Sequence, residues 1–196
     1  MWNNGRSCQG TFCITSPFNC SSNSKNQFMF STNRLHVRPL IHSDSDEFFD
    51  MMSNPNVMNP VPQKVKNREE SDANLQELIQ DPKEKTIWAV CEKGDTELIG
   101  LCALLVNNEG EDEIGYRLRE QYWRQGYGTE IAAGLIDYCF NELKFSLLTA
   151  DVNTENVHSV KILEKFMKPV REFYNENDQC TDRRYKVTNE NYSRSE

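Results

Sequence analysis

The sequence lacks the features that would mark a membrane, secreted or nucleic-acid-binding protein. No apolar run approaches the ~20 residues that cross a bilayer. The first residues do not combine a basic region with an uninterrupted apolar one, so we expect no secretion, no membrane partner and a cytoplasmic location. Basic residues are few: 22 Lys and Arg stand against 30 Asp and Glu, a net charge of −8. Binding to phosphate backbones needs a basic face, so we expect no nucleic-acid partner.

Metal-ligand spacings are also missing. The seven cysteines include no Cys-x-x-Cys pair, and the three histidines (His36, His42, His158) form no cluster. We therefore expect no metal site. Cys91, Cys102 and Cys139 lie in apolar runs, which predicts reduced thiols in a core.

The length of 196 residues predicts a single domain. Residues 1–31 are rich in Ser, Asn, Gly and Cys and show no helical or strand period, so we expect an irregular N-terminal extension in which Cys8, Cys13 and Cys20 are free thiols. The domain is expected over residues 32–190, and a polar tail over residues 191–196.

Periodicity and turn residues predict the order of the elements. The domain begins with a strand at 35–40 and a short helix that Ser43 or Asp44 caps, that runs through Met52 and that Asn54-Pro55 ends. A loop over 56–63 and a helix over 65–80 that Asp81-Pro82 ends come next. Three strands follow at 87–91, 98–106 and 113–118, then a helix from 127 to about 142, a strand at 144–152, a helix at 154–168 and two strands at 170–174 and 184–188. Because a helix separates the strands at 113–118 and 144–152, we expect these two to be parallel neighbours.

Two close glycines, Gly126 and Gly128, lie between the strand at 113–118 and the apolar helix that follows it. Such a turn exposes backbone N–H groups at the positive end of a helix dipole, which suits a phosphate or pyrophosphate. Thr129-Glu130 replaces the Lys-Ser/Thr ending of a nucleoside-triphosphate loop. Ile131 stands where a dinucleotide fold has its third glycine. The sequence therefore fits neither of these two phosphate-binding loops.

The helix predicted at 154–168 carries two polar residues, Asn156 and Ser159, on its apolar stripe. Polar groups on an inward face need hydrogen-bond partners. They could bond the preceding strand while Asn153 caps the helix, or they could face a ligand; the sequence leaves both interpretations open.

These motifs resemble one known family. The segment Tyr122–Glu130 and the pattern Ala150-x₅-Asn156-x-x-Ser159-x-x-x-Leu163-Glu164-Lys165 are similar to the GNAT superfamily of N-acetyltransferases, and in particular to its RimJ/RimL branch. Trp123 departs from the Gln or Arg of the general pattern, and Phe166-Met167 departs from the usual Leu-Gly-Phe ending. Over residues 34–188 the resemblance implies the α/β GNAT fold, with a mixed twisted sheet of about six to seven strands flanked by about four helices.

The resemblance also implies a site and a reaction. Acetyl-CoA would be the co-substrate, and a primary amine would attack it directly. Cofactor-binding residues would be the main chain of Tyr116, Arg117 and Leu118, the turn residues Arg124, Gln125, Gly126, Tyr127, Gly128 and Thr129, and Asn156. Glu113 would be the catalytic base, although it could instead be a surface carboxylate beside Glu111 and Asp112, and Ser159 would be the proton donor to the leaving thiolate. Tyr116 and Tyr174 are reserve candidates for the acid.

Two other functions stay open. The chain could be a non-catalytic acyl-CoA-binding sensor, although Glu113 and Ser159 favour an enzyme. As an enzyme it could acetylate a protein N-terminus, a polyamine, an aminoglycoside or another small amine, acting as a monomer or homodimer.

Overall fold

One mixed, 8-stranded sheet organises the molecule. The computed structural model describes residues 29–60, 64–80 and 86–192. The strands are β1 (Phe30–Ser31), β2 (Leu35–Pro39), β3 (Thr86–Glu92), β4 (Leu98–Val106), β5 (Asp112–Leu118), β6 (Leu147–Asn153), β7 (Lys168–Asn175) and β8 (Cys180–Thr188). Their order across the sheet is β1-β2-β3-β4-β5-β6-β8-β7. The pairs are antiparallel except β5–β6, which is parallel, as predicted.

Helices cover both faces of the sheet. The described α-helices are α1 (Ser45–Ser53), α2 (Pro55–Met58), α3 (Arg68–Gln80), α4 (Tyr127–Asn141) and α5 (Val157–Leu163). Helices α1 to α3 enclose one hydrophobic core, which contains Phe48, Met58 and Leu75. Helices α4 and α5 enclose the other, which contains Leu135 and Leu163. The predicted fold class is confirmed.

Helix α4 is the crossover that makes β5 and β6 parallel. Most residues of α4 are buried, while Glu130, Asp137 and Asn141 form the predicted narrow polar stripe, which is more exposed to solvent. Burial on most sides is what a crossover helix requires when it lies across a sheet and under a second helix. The helix therefore holds its N-terminus in a fixed position at the end of β5.

Three local predictions are wrong. Residues 56–58 of the predicted loop belong to α2, because Pro55 is pre-organised at the first helical position and the Asn54 side chain accepts a hydrogen bond from the Asn56 N–H at 2.9 Å. Phe30–Ser31, assigned to the irregular extension, pairs with β2. Helix α5 begins and ends inside the predicted 154–168, because Asn156 rather than Asn153 caps it and the chain turns after Leu163 into β7.

Asp44, one of the two predicted caps, stands at the N-cap position of α1, but its side chain forms no capping hydrogen bond to that helix. Its carboxylate instead accepts the Ile41 N–H at 2.9 Å and pairs with Arg38 at 2.6 Å. Residues 1–28 with their three cysteines, residues 81–82 at the predicted helix stop, and residues 193–196 of the predicted tail lie outside the described residues.

Candidate active site

A cleft opens in the sheet where β5 and β6 diverge. The described parts of the two strands pair at one position, Glu113 with Thr149. Beyond that pair, the edge of β5 that faces β6 is free of ladder bonds. The cleft has a volume of about 460 Å³ including its open mouth. Its lining comes from β5, β6, α5 and the segment after α2: Pro60, Ile114, Gly115, Tyr116, Ala150, Asp151, Val152, Asn153, Asn156, Ser159 and Leu163.

The glycine turn lies at one end of this cleft. Gly126 has φ 85° and precedes the first residue of α4, a left-handed conformation that glycine adopts without strain. Within the described chain no side chain caps this end of α4, so the first N–H groups of the helix point out of it. A Cβ added to Gly128 would lie 2.9 Å from Ile162 Cδ1 and 3.7 Å from the Tyr116 ring. The bare glycine therefore lets α5 and β5 approach the turn.

Arg34, on the β1–β2 turn, braces the start of α4. Its Nε donates to Glu130 at 2.7 Å, its Nη1 donates to the Gln125 carbonyl at 3.0 Å, and its guanidinium lies 4.3 Å from the centre of the Tyr127 ring. Trp123 fixes the other side, because its Nε1 donates to the Leu118 carbonyl at 2.9 Å. The residue that departs from the family pattern thus ties the turn back to β5.

Glu113 is buried on the α1–α3 face of the sheet, with 7% of its surface exposed. The pKa of its carboxyl is raised to about 8, mainly by burial and in part by the nearby Asp151 carboxylate, while Arg184 opposes the rise. Alternation along β5 places Gly115 and Arg117 on the same face, as predicted, and Arg117 Nη1 lies 3.3 Å from Met58 Sδ. Burial lowers the pKa of Arg117 to about 10.

Tyr116 and Ser159 approach the cleft from the opposite face. The Tyr116 hydroxyl is buried and forms no hydrogen bond of normal geometry with the described residues. Burial raises the pKa of this phenol, and the adjacent Ser159 hydroxyl partly offsets that rise. Asn156 lies one turn before Ser159 and accepts the Ser159 N–H through Oδ1 at 3.2 Å. The cleft lining therefore contains the Asp151 carboxylate and the hydroxyl groups of Tyr116 and Ser159, whereas Glu113 is buried one residue before the lining residue Ile114 and is not itself part of the lining.

The predicted site residues are not all brought together at the cleft, whose lining does not include Glu113, Arg117 or Leu118. Tyr116, Asn156 and Ser159 line the cleft together. The turn residues Arg124 to Thr129 lie where β5 leads into α4. Tyr174, a reserve acid, lies on the edge strand β7 with 58% of its surface exposed and its hydroxyl bonded to Gln179, away from the cleft lining.

Sequence reasoning did not select Asp151, Arg184 or Pro60. Asp151 lines the cleft, and Arg184 pairs with it through two hydrogen bonds of 2.7 and 2.6 Å. A signal was present for Asp151, because a carboxylate inside an apolar strand needs a partner. Nothing local in the sequence indicates which of the basic residues of β8 supplies that partner.

This chain is similar to a known protein family and to solved structures. The model of the acetyltransferase (GNAT) domain matches residues 34–166. An uncharacterised N-acetyltransferase, p20 of Bacillus licheniformis, is 30% identical over 138 residues, which cover 67% of this chain and 77% of that protein.

Two solved structures share the fold. The RimL acetyltransferase of ribosomal L7/L12, in complex with coenzyme A, superposes with a TM-score of 0.69 at 14% identity, over 83% of this chain and 98% of that one. The spermidine N-acetyltransferase of Vibrio cholerae, in complex with CoA and spermine, gives a TM-score of 0.68 at 18% identity, over 81% and 98%.

The fold, the divergent strands and the family match define the class: this chain belongs to the GNAT family of acetyltransferases. Among the described residues, no helix is both long and apolar enough to cross a bilayer.

Proposed function

We propose that the protein is an N-acetyltransferase that moves an acetyl group from acetyl-CoA to a primary amine by direct attack. The observation that carries this proposal is the opening between β5 and β6 beside the uncapped start of α4. A free strand edge offers main-chain groups to an extended ligand, and a free helix N-terminus offers N–H groups to a diphosphate. Coenzyme A contains both an extended pantetheine arm and a diphosphate.

The residues present fit acetyl-CoA. The N–H groups from Gln125 to Thr129 would hold the pyrophosphate, with Arg124 beside them in the turn. The main chain of Tyr116 to Leu118 would pair with the pantetheine arm. Asn156 uses Oδ1 as a helix cap, so its amide nitrogen would be the group that bonds the ligand. The thioester supplies an activated acetyl group.

Glu113 would accept the proton that the amine loses as its nitrogen attacks the thioester carbonyl carbon. The carbon–sulfur bond then breaks, and Ser159 would donate a proton to the departing thiolate. A carboxyl with a pKa of about 8 is a stronger base than an ordinary glutamate, but it is ionised only as the pH approaches 8. We therefore expect kcat/KM to rise with pH up to about 8.

The motifs of the RimJ/RimL branch support a protein N-terminus as acceptor, and the acidic cleft wall is equally compatible with a small cationic amine. The test is release of CoA from acetyl-CoA by the purified chain. It is offered a peptide with a free N-terminal serine, the same peptide with a blocked N-terminus, spermine and an aminoglycoside. We expect release with at least one free amine and none with the blocked peptide, with mass spectrometry showing one added acetyl group.

Two results would contradict the proposal. Calorimetric binding of acetyl-CoA without release on any amine would make the protein a non-catalytic acyl-CoA sensor. Absence of binding heat would remove the cofactor site itself.

A further inference from the structure

A row of charged side chains crosses the sheet on the face that carries Glu113. Glu113 and Thr149 are paired in parallel register, so their side chains leave the sheet on the same face, and alternation places Asp151 on that face two residues along β6. Asp151 is in turn paired with Arg184 of β8. The row therefore runs from Glu113 on β5 through Asp151 on β6 to Arg184 on β8.

Arg184 and Asp151 form a fixed, buried ion pair. Arg184 Nε and Nη2 donate to the two carboxylate oxygens of Asp151 at 2.7 and 2.6 Å. Only 3% of Arg184 and 8% of Asp151 is exposed. Arg184 Nη1 lies 2.9 Å from a Glu109 carboxylate oxygen, at an angle that does not make a hydrogen bond. Two parallel hydrogen bonds leave neither side chain free to rotate.

This pair lies at the wall of the cleft, since Asp151 is one of its lining residues. Its two charges act on Glu113 in opposite senses, because the Asp151 carboxylate disfavours a second negative charge nearby and the Arg184 guanidinium favours it. Neither residue belongs to the turn or to the motifs that indicate the family. Their place on the face that carries Glu113 points to an effect on the base.

We propose that Asp151 and Arg184 are positioning residues that together decide when Glu113 can accept a proton. The proposal rests on the proposed function, in which Glu113 is the base. Burial makes Glu113 a strong base, Asp151 adds to that strength, and Arg184 keeps it within the range where the carboxylate still forms near neutral pH.

Other charged residues lie on Glu113's own strand and on the elements next to it, and of these Asp182 adds to the rise in the pKa of Glu113. Asp112 and Arg117 lie on its own strand, Glu109 and Glu111 on the turn before it, Asp182 and Lys186 on β8, and Arg171 on β7. Lys186 is engaged by Glu111, Arg171 by Glu109, and Asp182 by Asn175. Met52 of α1 and Met58 of α2, which contact Arg117 on this face, and Pro60 after α2 carry no charge.

The test compares Asp151→Asn with Arg184→Gln. The first removes the negative charge and should move the titration of Glu113 to lower pH by about 1 to 2 units; the second removes the positive charge and should move it to higher pH by a similar amount. Two readouts follow the shift: the acid limb of kcat/KM, and the ¹³C signal of the Glu113 carboxyl, assigned by its loss in Glu113→Gln. The NMR readout needs no turnover.

Three further variants make the test specific. The double variant Asp151→Asn/Arg184→Gln should titrate near the wild type, because both charges are gone. Arg184→Lys keeps the charge and should stay close to the wild type. Asp44→Asn breaks the comparable buried Arg38–Asp44 pair at the distant end of the sheet, so it should lower stability and leave the titration of Glu113 unchanged.

Shifts of opposite sign support the proposal, and shifts of the same sign or none overturn it. If Arg184→Gln does not fold, Asp151→Asn decides alone, since a downward shift supports the proposal and any other result overturns it. If Glu113→Gln retains the acid limb of the wild type, Glu113 is not the base and this proposal falls, while acetyl transfer in the amine panel still stands.

Discussion

Two hydroxyl groups on one side of the cleft compete for the role of the acid. Ser159 matches the family pattern, whereas Tyr116 has a buried hydroxyl without a normal hydrogen bond among the described residues. We expect Ser159→Ala to lower kcat by about 10²-fold, within the range for a lost proton donor. KM for acetyl-CoA should change little, because the backbone supplies most of the cofactor contacts. Steady-state kinetics with a saturating amine gives both constants.

Tyr116→Phe is the matched control for this prediction. It removes only the phenolic oxygen and keeps the ring that contacts Gly128. A larger loss of kcat in Tyr116→Phe than in Ser159→Ala would transfer the role of acid to the tyrosine.

The faces of β5 could be predicted from the sequence, whereas the partner of Asp151 could not. Alternation predicted that Glu113 and Arg117 share one face while Ile114 and Leu118 share the other, and the two cores confirm it. The partner of Asp151 could not be predicted, because it depends on the register between β6 and β8, which are joined through a helix and a further strand. Long-range register is set by packing and not by local pattern.

At the scale of elements, α4 and the β1–β2 hairpin meet at Gly134. A Cβ on Gly134 would lie 2.4 Å from Thr32 Cγ2 and 3.2 Å from the Phe30 ring. Overpacking of this kind costs about 1 to 3 kcal/mol. Alanine inside a helix gains about 1 kcal/mol over glycine. The clash should win, so we expect Gly134→Ala to lower the free energy of unfolding in urea by up to about 2 kcal/mol.

In a Thr32→Ser background, Gly134→Ala should no longer lower the free energy of unfolding. Serine lacks the clashing methyl but keeps the hydroxyl that donates to Glu130 at 2.6 Å and accepts the Leu35 N–H at 3.1 Å. In that background Gly134→Ala should be neutral or stabilising. Stabilisation by Gly134→Ala in both backgrounds would show that the hairpin yields freely.

The elements predicted best are those whose own residues set their ends. Strand β4 was predicted at its observed limits, because its apolar run is bounded by turns on both sides. Helix α2 was missed since one turn of helix has no measurable period, and only the Asn54-Pro55 pair indicates it. Strand β1 has two residues and gains its stability from β2 and α4, which no local pattern reveals.

On the scale of the whole molecule, Glu113 should make stability depend on pH. Its pKa is about 8 in the folded protein against a reference value of 4.5, so the folded state holds a proton that the unfolded state has lost between those values. Stability should therefore fall as pH rises through this window. The penalty is complete above pH 8 and amounts to at most about 5 kcal/mol.

Glu113→Gln removes this penalty. Its free energy of unfolding relative to the wild type should rise by about 2 to 5 kcal/mol between pH 5 and pH 9. Glu111→Gln is the control: Lys186 lowers the pKa of Glu111, so the difference from the wild type should be constant over that range. A flat difference for Glu113→Gln would mean that the carboxyl is already ionised in the folded protein at pH 5.

Because β5 and β6 pair at a single position, the sheet consists of two parts that are joined only at that position along these strands. One part has the five strands β1 to β5 and the other the three strands β6, β8 and β7. Besides that pairing, the Thr149 hydroxyl connects the two parts by donating to the Asp112 carbonyl at 2.9 Å and lying 3.2 Å from the Asn107 amide nitrogen. We therefore expect the two parts of the sheet to twist against each other most easily along the boundary between β5 and β6. A ligand that hydrogen-bonds to both β5 and β6 supplies the ladder bonds that the chain itself lacks there. Binding in the cleft therefore also makes the whole sheet more rigid.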